Sequence, residues 1–306
     1  MAGVMVMDLL NSGKTLSCIP GLSRNWDFVC DAVPRWRRRQ VAELMWRNGH
    51  RRPVWASLKP LMEKAEWTVY FLYAPQGVLT AAQRFTLRRL KDSGVNLLVV
   101  CAAKEASMIP EEINAYADAL FWKALEGYDF SAYTLALRQI SYRSPGANVL
   151  VINDSVYGPF TDLETCLKPS KWDLTGFTAS SQLAHHIQSY PFSLKCVDRA
   201  RMLKLAPVFF PVLAFSDPNA VINLQELRLT RIASRSMGGG ALWYGDAKHV
   251  IDPTLVRPFE LIDAGFPFLK RSLVGKYKKF QDTEQVKSLL NELGHPVDDW
   301  QERAAT

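Results

Sequence analysis

Short apolar runs that alternate with helix-forming segments constrain the fold of this chain more than any other feature. Runs of about four to eight apolar residues, bounded by turn residues, are typical of strands buried on both faces of a parallel sheet. Such runs occupy residues 67–74, 96–102, 119–123 and 148–152. Segments with apolar residues at helical spacing separate them, at residues 80–93, 110–120 and 130–140. The alternation predicts an α/β fold with a mostly parallel sheet and helices on both faces.

Beyond Pro159 the alternation weakens. Two further strands and two helices are predicted there, at residues 172–179 and 189–194 and at residues 198–206 and 223–234. Three consecutive glycines at 238–240 predict a flexible loop, and the apolar spacing at 283–293 predicts an amphipathic helix. We therefore expect an N-terminal helical extension, an α/β domain and a C-terminal helical tail, at residues 1–60, 61–275 and 276–306.

The positive charge of the chain is concentrated near its N-terminus. Residues 1–60 carry ten Lys and Arg against four Asp and Glu, and so hold +6 of the formal net charge of +7. The rest of the chain is nearly neutral and contains no nucleic-acid-binding motif. A protein that binds nucleic acid needs a basic face on its folded domain, so we expect no nucleic-acid partner.

Two interpretations remain open for the basic segment at residues 34–55. Trp36, Trp46 and Trp55 are interleaved with arginines in this segment. Arginines can bind lipid phosphates while indole rings lie at the membrane interface, which would make this a peripheral membrane contact. A solvated helix packed on the domain would give the same pattern.

Cysteine usage and hydropathy indicate a cytoplasmic chain. The five cysteines are odd in number and widely spaced, and no CxxC pair occurs, which argues against a structural zinc site or a disulfide framework. No run of eighteen apolar residues is present, and the first residues do not resemble a secretory signal. We therefore expect a reducing cytoplasm.

The triplet Asn153-Asp154-Ser155 directly follows a predicted buried strand. In open α/β sheets, ligands bind outside the carboxyl ends of the strands. A carboxylate at that place can hold a divalent cation or accept a hydrogen bond from a sugar hydroxyl. The alternative is that Asp154 only caps a turn.

Asp129, His186 and Gln188 are further candidate site residues, and each could instead have a purely structural role. Asp129 lies at the start of the helix predicted at 130–140, where it would either face a nucleotide or cap the helix. His186 and Gln188 share one face of a predicted strand. They would bind acceptor or donor, or serve as satisfied structural side chains.

Two motifs together resemble the rhamnan synthesis protein F family of bacterial polysaccharide glycosyltransferases. They are EGYDFSAY at residues 126–133 and VLVINDSVYGPF at residues 149–160. Weaker similarities follow in the same order, at residues 69–100, 174–178, 186–190, 225–230 and 267–271. The resemblance covers roughly residues 67–275, and residues 1–60 lie outside it.

The resemblance implies a GT-A-like glycosyltransferase domain and assigns roles to several residues. Donor binding would fall to Tyr128, Asp129, Asn153, Asp154 and Ser155. Asp154 would also be a catalytic residue, because it would hold Mg²⁺ or Mn²⁺. The GT-A pattern has two carboxylates in this motif and here there is one, which puts metal dependence in doubt. Lys or Arg side chains could neutralise the leaving diphosphate instead.

Glu226 is our candidate for the catalytic base, because inverting transfer needs a carboxylate to take the proton of the acceptor hydroxyl. Asp173 and Asp217 are the reserve candidates. His186 and Gln188 would contact acceptor or donor.

The function implied by the resemblance is transfer of a sugar, rhamnose among the candidates, from a nucleotide-sugar donor to a lipid-linked surface polysaccharide. The site would be the inner face of the bacterial inner membrane. Two rivals stay open. One is a non-catalytic module, derived from the same fold, that binds glycan or scaffolds a polysaccharide complex. The other is a peripheral membrane protein that functions only through residues 34–55.

Overall fold

The computed structural model of the protein describes residues 22–30, 35–181, 184–245 and 252–297, without the side chains of residues 35–37. The strands are β1 (Leu22–Asp27), β2 (Gly49–Arg51), β3 (Trp55–Lys59), β4 (Glu66–Tyr73), β5 (Leu97–Ala102), β6 (Ala119–Lys123), β7 (Ala147–Asn153), β8 (Val156–Tyr157), β9 (Leu174–Ser180), β10 (His186–Ile187), β11 (Pro191–Val197), β12 (Leu213–Phe215), β13 (Gly239–Gly245) and β14 (Leu269–Lys270). The helices are α1 (Arg35–Asn48), α2 (Ala81–Asp92), α3 (Tyr128–Arg143), α4 (Leu163–Leu167), α5 (Arg199–Lys204), α6 (Pro218–Val221), α7 (Leu227–Ala233), α8 (Pro253–Val256), α9 (Pro258–Asp263) and α10 (Thr283–Glu292).

One large sheet organises the molecule. Its strand order is β1-β13-β9-β11-β7-β4-β5-β6-β3, with β10 paired to β9. The block β7-β4-β5-β6 is parallel throughout, and β13 is parallel to β9. Strands β11, β1 and β3 add antiparallel neighbours. The predicted fold class, an α/β sheet with a parallel core and helices packed against it, is confirmed.

Strand β4 shows why the sheet is covered on both faces. Its side chains alternate between two cores, with Val69 and Phe71 in one cluster and Tyr70 and Leu72 in the other. Helix α3 contributes to the first cluster and α2 to the second. A strand without a polar face needs a helix on each side.

The four strands predicted from apolar runs, at 67–74, 96–102, 119–123 and 148–152, correspond to β4, β5, β6 and β7. The helix predicted at 110–120 is wrong. A single 3₁₀ segment, Glu111–Ala115, occupies its first half, and Ala119 already begins β6. Pro110 can begin such a turn, but the adjacent strand leaves no room for an α-helix.

Both edges of the sheet come from the segment that we predicted as an N-terminal extension. Strand β1 pairs with β13 at one edge, and β3 pairs with β6 at the other. Between them, α1 packs on the first core through Val41, Leu44 and Met45. Of the described part of residues 1–60, β1 and β3 belong to the large sheet, α1 packs on the core and β2 pairs with β12, while residues 1–21 and 31–34 lie outside the described ranges.

The triglycine run does not form the predicted loop. Gly239 and Gly240 lie in β13, where Gly240 pairs with Thr175 of β9 and with Asp27 of β1. The lack of a side chain is used for close packing, because a Cβ on Gly240 would overlap the indole of Trp172. A glycine in a strand often marks such a close approach.

The C-terminal helix is present as predicted. In α10, Val286 and Leu290 are buried in a small third cluster that includes Tyr157 and Leu273. Among the described residues, no helix is long and apolar enough to cross a membrane.

We expect Gly240→Ala to lower the free energy of unfolding by about 1–3 kcal/mol, because the added methyl group overfills the contact with Trp172 and with the main-chain oxygen of Trp26. Gly238→Ala is the matched control, since nothing lies closer than 3.9 Å to its Cβ. Urea unfolding measures both. Equal stabilities for the two variants would contradict this packing.

Candidate functional site

The candidate site lies where the order of the strands reverses. From β4 the chain proceeds through β5 and β6 on one side and then returns to place β7 on the other side of β4. The carboxyl ends of β4 and β7 therefore border a crevice, the usual ligand position in this class of sheet. Tyr73 ends β4, and Asn153 ends β7.

Asp154 ties together the elements around this crevice. Its Oδ2 accepts hydrogen bonds from the main-chain N–H of Tyr73 at 3.0 Å and from Nε2 of Gln83 at 2.7 Å. Its own N–H donates to the carbonyl of Phe71. Gln83 also closes the capping box of α2 with Thr80. The buried carboxylate thus fixes the end of β4, the start of α2 and the loop after β7.

Asn153 links the same loop to helix α3. Its Nδ2 donates to Oδ2 of Asp129 at 3.0 Å, while its Oδ1 accepts from the main-chain N–H and from Oγ of Ser155. Oδ1 of Asp129 accepts from the N–H of Phe130 at 2.8 Å. The two motifs that suggested a donor site are therefore in direct contact.

Helix α3 begins at Tyr128, two residues earlier than predicted. Gly127 caps it with φ of +87°, and a Cβ there would overlap Ser131 and Ala214. Tyr128 follows with φ of +45° and is 46% exposed. Asp129 is consequently inside the helix, and its carboxylate is turned toward Asn153.

Asp129 is held in an environment that disfavours its charge. Burial, and then the nearby negative charge of Glu226, raise the pKa of Asp129 from 3.8 to about 6, against the opposing hydrogen bonds from Phe130 and Asn153. A raised carboxyl pKa with a specific charged neighbour is a feature of functional sites.

Glu226 is positioned by an irregular turn of helix. It ends the π-helical segment Ile222–Glu226, which joins α6 to α7. Such segments are frequent at functional sites because they redirect a side chain. Oε1 of Glu226 accepts a long hydrogen bond from the N–H of Ser189, at 3.4 Å. The partly buried carboxylate thus lies between the loop after β10 and Asp129.

A buried ion pair lies beside these carboxylates. Nζ of Lys270 donates to Oδ2 of Asp252 at 2.5 Å and lies 4.7 Å from the ring centroid of Tyr190. Oδ1 of Asp252 accepts from the N–H and hydroxyl of Thr254. Burial disfavours the charged lysine, but Asp252 outweighs it and raises the pKa of Lys270.

Arg271, next to Lys270, lies directly over the predicted donor loop. Its Nη1 donates to the carbonyl of Asp154 at 3.1 Å, and its main-chain N–H donates to the carbonyl of Ser155 at 2.9 Å. Neither Lys270 nor Arg271 was among the predicted site residues. The signal was present, since both belong to the segment at 267–271 that carries part of the family resemblance.

Most of the predicted site residues lie together at the carboxyl ends of β4 and β7. Direct contacts join Asp129, Asn153 and Ser155, Asp154 is adjacent in sequence, and Glu226 is close enough to shift the pKa of Asp129. Oε1 of Gln188 accepts from Thr178 and from Tyr190, the residue under Lys270. His186 is buried and contacts the carbonyl of Ala184 through Nδ1.

The two reserve candidates for the base have structural partners. Asp173 pairs with Arg201 at 3.2 Å and accepts from the N–H of Gly238. Asp217 caps α6 by accepting from the N–H of Ala220 at 2.7 Å. Neither is among the groups that contact Asn153 or Asp129.

A cavity of about 370 Å³ lies at the other end of these strands, near the amino ends of β4 and β7. Three of its polar side chains are already paired within the protein. Asn96 donates to the carbonyl of Glu66, Asn148 accepts from the N–H of Cys196, and Lys195 donates to the carbonyl of Ser170. We place the candidate site at the carboxyl ends of β4 and β7 because the charged groups converge there.

No protein-family model matches the sequence, and no curated protein does. The solved structure of 4-diphosphocytidyl-2C-methyl-D-erythritol synthase from Anaerococcus prevotii matches at 13% identity and a TM-score of 0.37, over 66% of this chain and 96% of that one. A protein of Desulfovibrio desulfuricans assigned as a nucleotide-diphospho-sugar transferase matches at 10% identity and a TM-score of 0.36, over 74% of this chain and 96% of that one. The inositol-1-phosphate CTP transferase of T. maritima matches at 8% identity and a TM-score of 0.32, over 67% of this chain and 97% of that one. At such low identities and TM-scores, no activity follows from these likenesses.

The raised pKa of Asp129 gives a pH-dependent stability. Between pH 4 and 6 the folded chain retains a proton that the unfolded chain releases, so ionisation of Asp129 costs stability as the pH rises. We expect the stability of Asp129→Asn relative to the original protein to increase by about 1–3 kcal/mol from pH 4 to pH 7.

Asp162→Asn is the control of opposite sign. Hydrogen bonding from Thr165 lowers the pKa of Asp162, so its carboxylate stabilises the fold at high pH, and that contribution is lost as the pH falls. Urea unfolding between pH 4 and 7 measures the difference for Asp129→Asn, and measurements continued below pH 3.8 capture the opposite change for Asp162→Asn. A pH-independent difference for Asp129→Asn would show that its carboxyl titrates normally.

Proposed function

We propose that this protein is an inverting glycosyltransferase that moves a sugar from a nucleotide-sugar donor to a lipid-linked bacterial surface polysaccharide. The observation that carries the proposal is the contact between Asp129 and the Asn153 loop at the switch point, with the carboxylate of Glu226 beside it. The resemblance of residues 126–133 and 149–160 to rhamnan synthesis proteins supports this substrate class. It favours rhamnose as the sugar.

The crevice offers separate places for the parts of the donor. Tyr128 is exposed at the start of α3 and presents an aromatic ring that can stack on a nucleobase. Asp129, beside it, is suited to hydrogen-bond the ribose. Asn153 and Ser155 would lie against the diphosphate, and Asp154 would hold that loop in position through Tyr73 and Gln83.

Glu226 has the chemistry of the base. In an inverting transfer the acceptor hydroxyl attacks the anomeric carbon, the bond to the diphosphate breaks, and the hydroxyl proton passes to a carboxylate. The transition state has oxocarbenium character. Glu226 keeps one carboxylate oxygen on Ser189, which orients the group. His186 and Gln188, on the same side, would contact the acceptor.

A lipid-linked acceptor would require the enzyme to work at the inner face of the membrane, and one surface is suited to that. Helix α1 exposes Arg38, Arg39 and Arg47, and Trp46 on the same face is 90% exposed. A tryptophan flanked by arginines is typical of surfaces that lie at an anionic bilayer.

Nucleotide binding and turnover test the enzymatic proposal. Among UDP, dTDP, GDP and CMP, we expect one class to raise the melting temperature selectively. Glu226→Gln should keep that shift but lower release of the nucleotide from the matching donor sugar by about 10²- to 10⁴-fold.

Asp217→Asn is the control for this experiment, because asparagine also caps helices and Asp217 has no place in the crevice. No stabilisation by any of the four nucleotides, from folded protein, would contradict the proposal and favour a non-catalytic glycan-binding module.

Binding to vesicles tests the membrane surface. We expect Trp46→Ser to weaken co-sedimentation with anionic phospholipid vesicles severalfold without changing the melting temperature, because Trp46 contacts little of the protein. Leu203→Ser is the matched control, since Leu203 is 76% exposed on α5. An equal effect of both variants would contradict a specific role for α1.

A further inference from the structure

The carboxylate of Asp154, which we predicted to hold a metal ion, already accepts hydrogen bonds from the protein. Both donors to Oδ2 of Asp154 are protein N–H groups, from Tyr73 and from Gln83. Within the described ranges, no three His, Cys, Asp or Glu side chains are grouped closely enough to hold a metal ion. The residues present therefore do not fit the preformed acidic site of a metal-dependent transferase.

Arg271 places a positive charge and several N–H donors, both of which a diphosphate needs, beside Asp154. Its guanidinium is partly exposed and gives one N–H to the carbonyl of Asp154. The described part of the chain provides no carboxylate within ion-pair distance of it. The remaining N–H groups of its planar fork suit the bidentate binding of phosphate oxygens.

The surrounding structure fixes this guanidinium. Strand β14 pairs with β8, which follows the donor loop directly, with Lys270 opposite Val156. The main chain of Arg271 bonds to Ser155, and the guanidinium lies 5.5 Å from the ring centroid of Tyr157. The buried pair of Lys270 and Asp252 anchors the strand on its other side. A cation held this firmly loses little entropy on binding an anion.

We propose that Arg271 binds the donor diphosphate and stabilises it as the leaving group, in the role that a divalent metal has in metal-dependent relatives of this fold class. This inference rests on the proposed function. When the bond between the anomeric carbon and the phosphate oxygen breaks, its electron pair stays with that oxygen. The guanidinium would stabilise the added negative charge, and the acceptor proton would go to Glu226.

Calorimetric titration of the full chain with nucleoside diphosphates tests the proposal, using UDP, dTDP and GDP in EDTA and in excess Mg²⁺. We expect the preferred diphosphate to bind equally well in both buffers. Arg271→Gln should weaken its binding about ten- to a hundredfold, while binding of the corresponding nucleoside stays the same. Arg271→Lys keeps the positive charge but loses the planar guanidinium, so its affinity for the diphosphate should lie between those of the original protein and Arg271→Gln.

Arg89→Gln is the matched control, since Arg89 also donates to a main-chain carbonyl of this region, that of Pro159, but from the exposed side of α2. Circular dichroism and melting temperature confirm folding of each variant. Diphosphate binding that requires Mg²⁺, or that is unchanged in Arg271→Gln, would overturn the inference and leave the proposed function standing. Absence of binding of these three diphosphates to the original protein would overturn the inference, and absence of CMP binding as well would overturn both.

Discussion

The hydrogen bonds to the carboxylate of Asp154 hold the crevice together. Tyr73 ends one strand and Gln83 begins the following helix, and both donate to the same oxygen of a residue that follows another strand. Asn153 and Ser155, on either side of Asp154, are therefore held in place, Asn153 against Asp129 and Ser155 at the surface. Removing such a buried acceptor would take from both donors the acceptor that they share, which is costly in a site of low dielectric constant. The positions of Asp129 and Arg271 depend on this loop through their own contacts with it.

The parallel core of the fold could be predicted from local sequence, because a strand buried on both faces needs a continuous apolar run and β4, β5 and β7 each have one. Part of the site followed in the same way. Asp129 and Asn153 lie next to element ends that were visible in the pattern, and the structure joins them by a hydrogen bond. Their assignment to donor binding came from the family resemblance and remains a proposal.

Other features depend on contacts between distant segments, which local patterns do not encode. The glycines of β13 were interpreted as a loop because their flexibility is intrinsic, whereas their packing against Trp172 is a property of the tertiary structure. The pairing of Lys270 with Asp252 joins strand β14 to the N-terminus of α8, and neither residue is distinctive by itself. Glu226 was a candidate from the sequence and its role remains a proposal, but the π-helical segment in which it lies has no signature in the sequence.

The placement of the two edge strands has a consequence for how the chain is made. Strand β1 is synthesised before the other described strands, yet it pairs with β13, which is synthesised roughly 200 residues later. At about 5–20 residues per second, translation alone delays that pairing by roughly 10–40 s. During this interval β1 lacks the strand with which it pairs in the folded protein, and its main chain is open to association with other nascent chains. Efficient production should therefore depend on the rate of translation or on chaperones that shield the waiting strand.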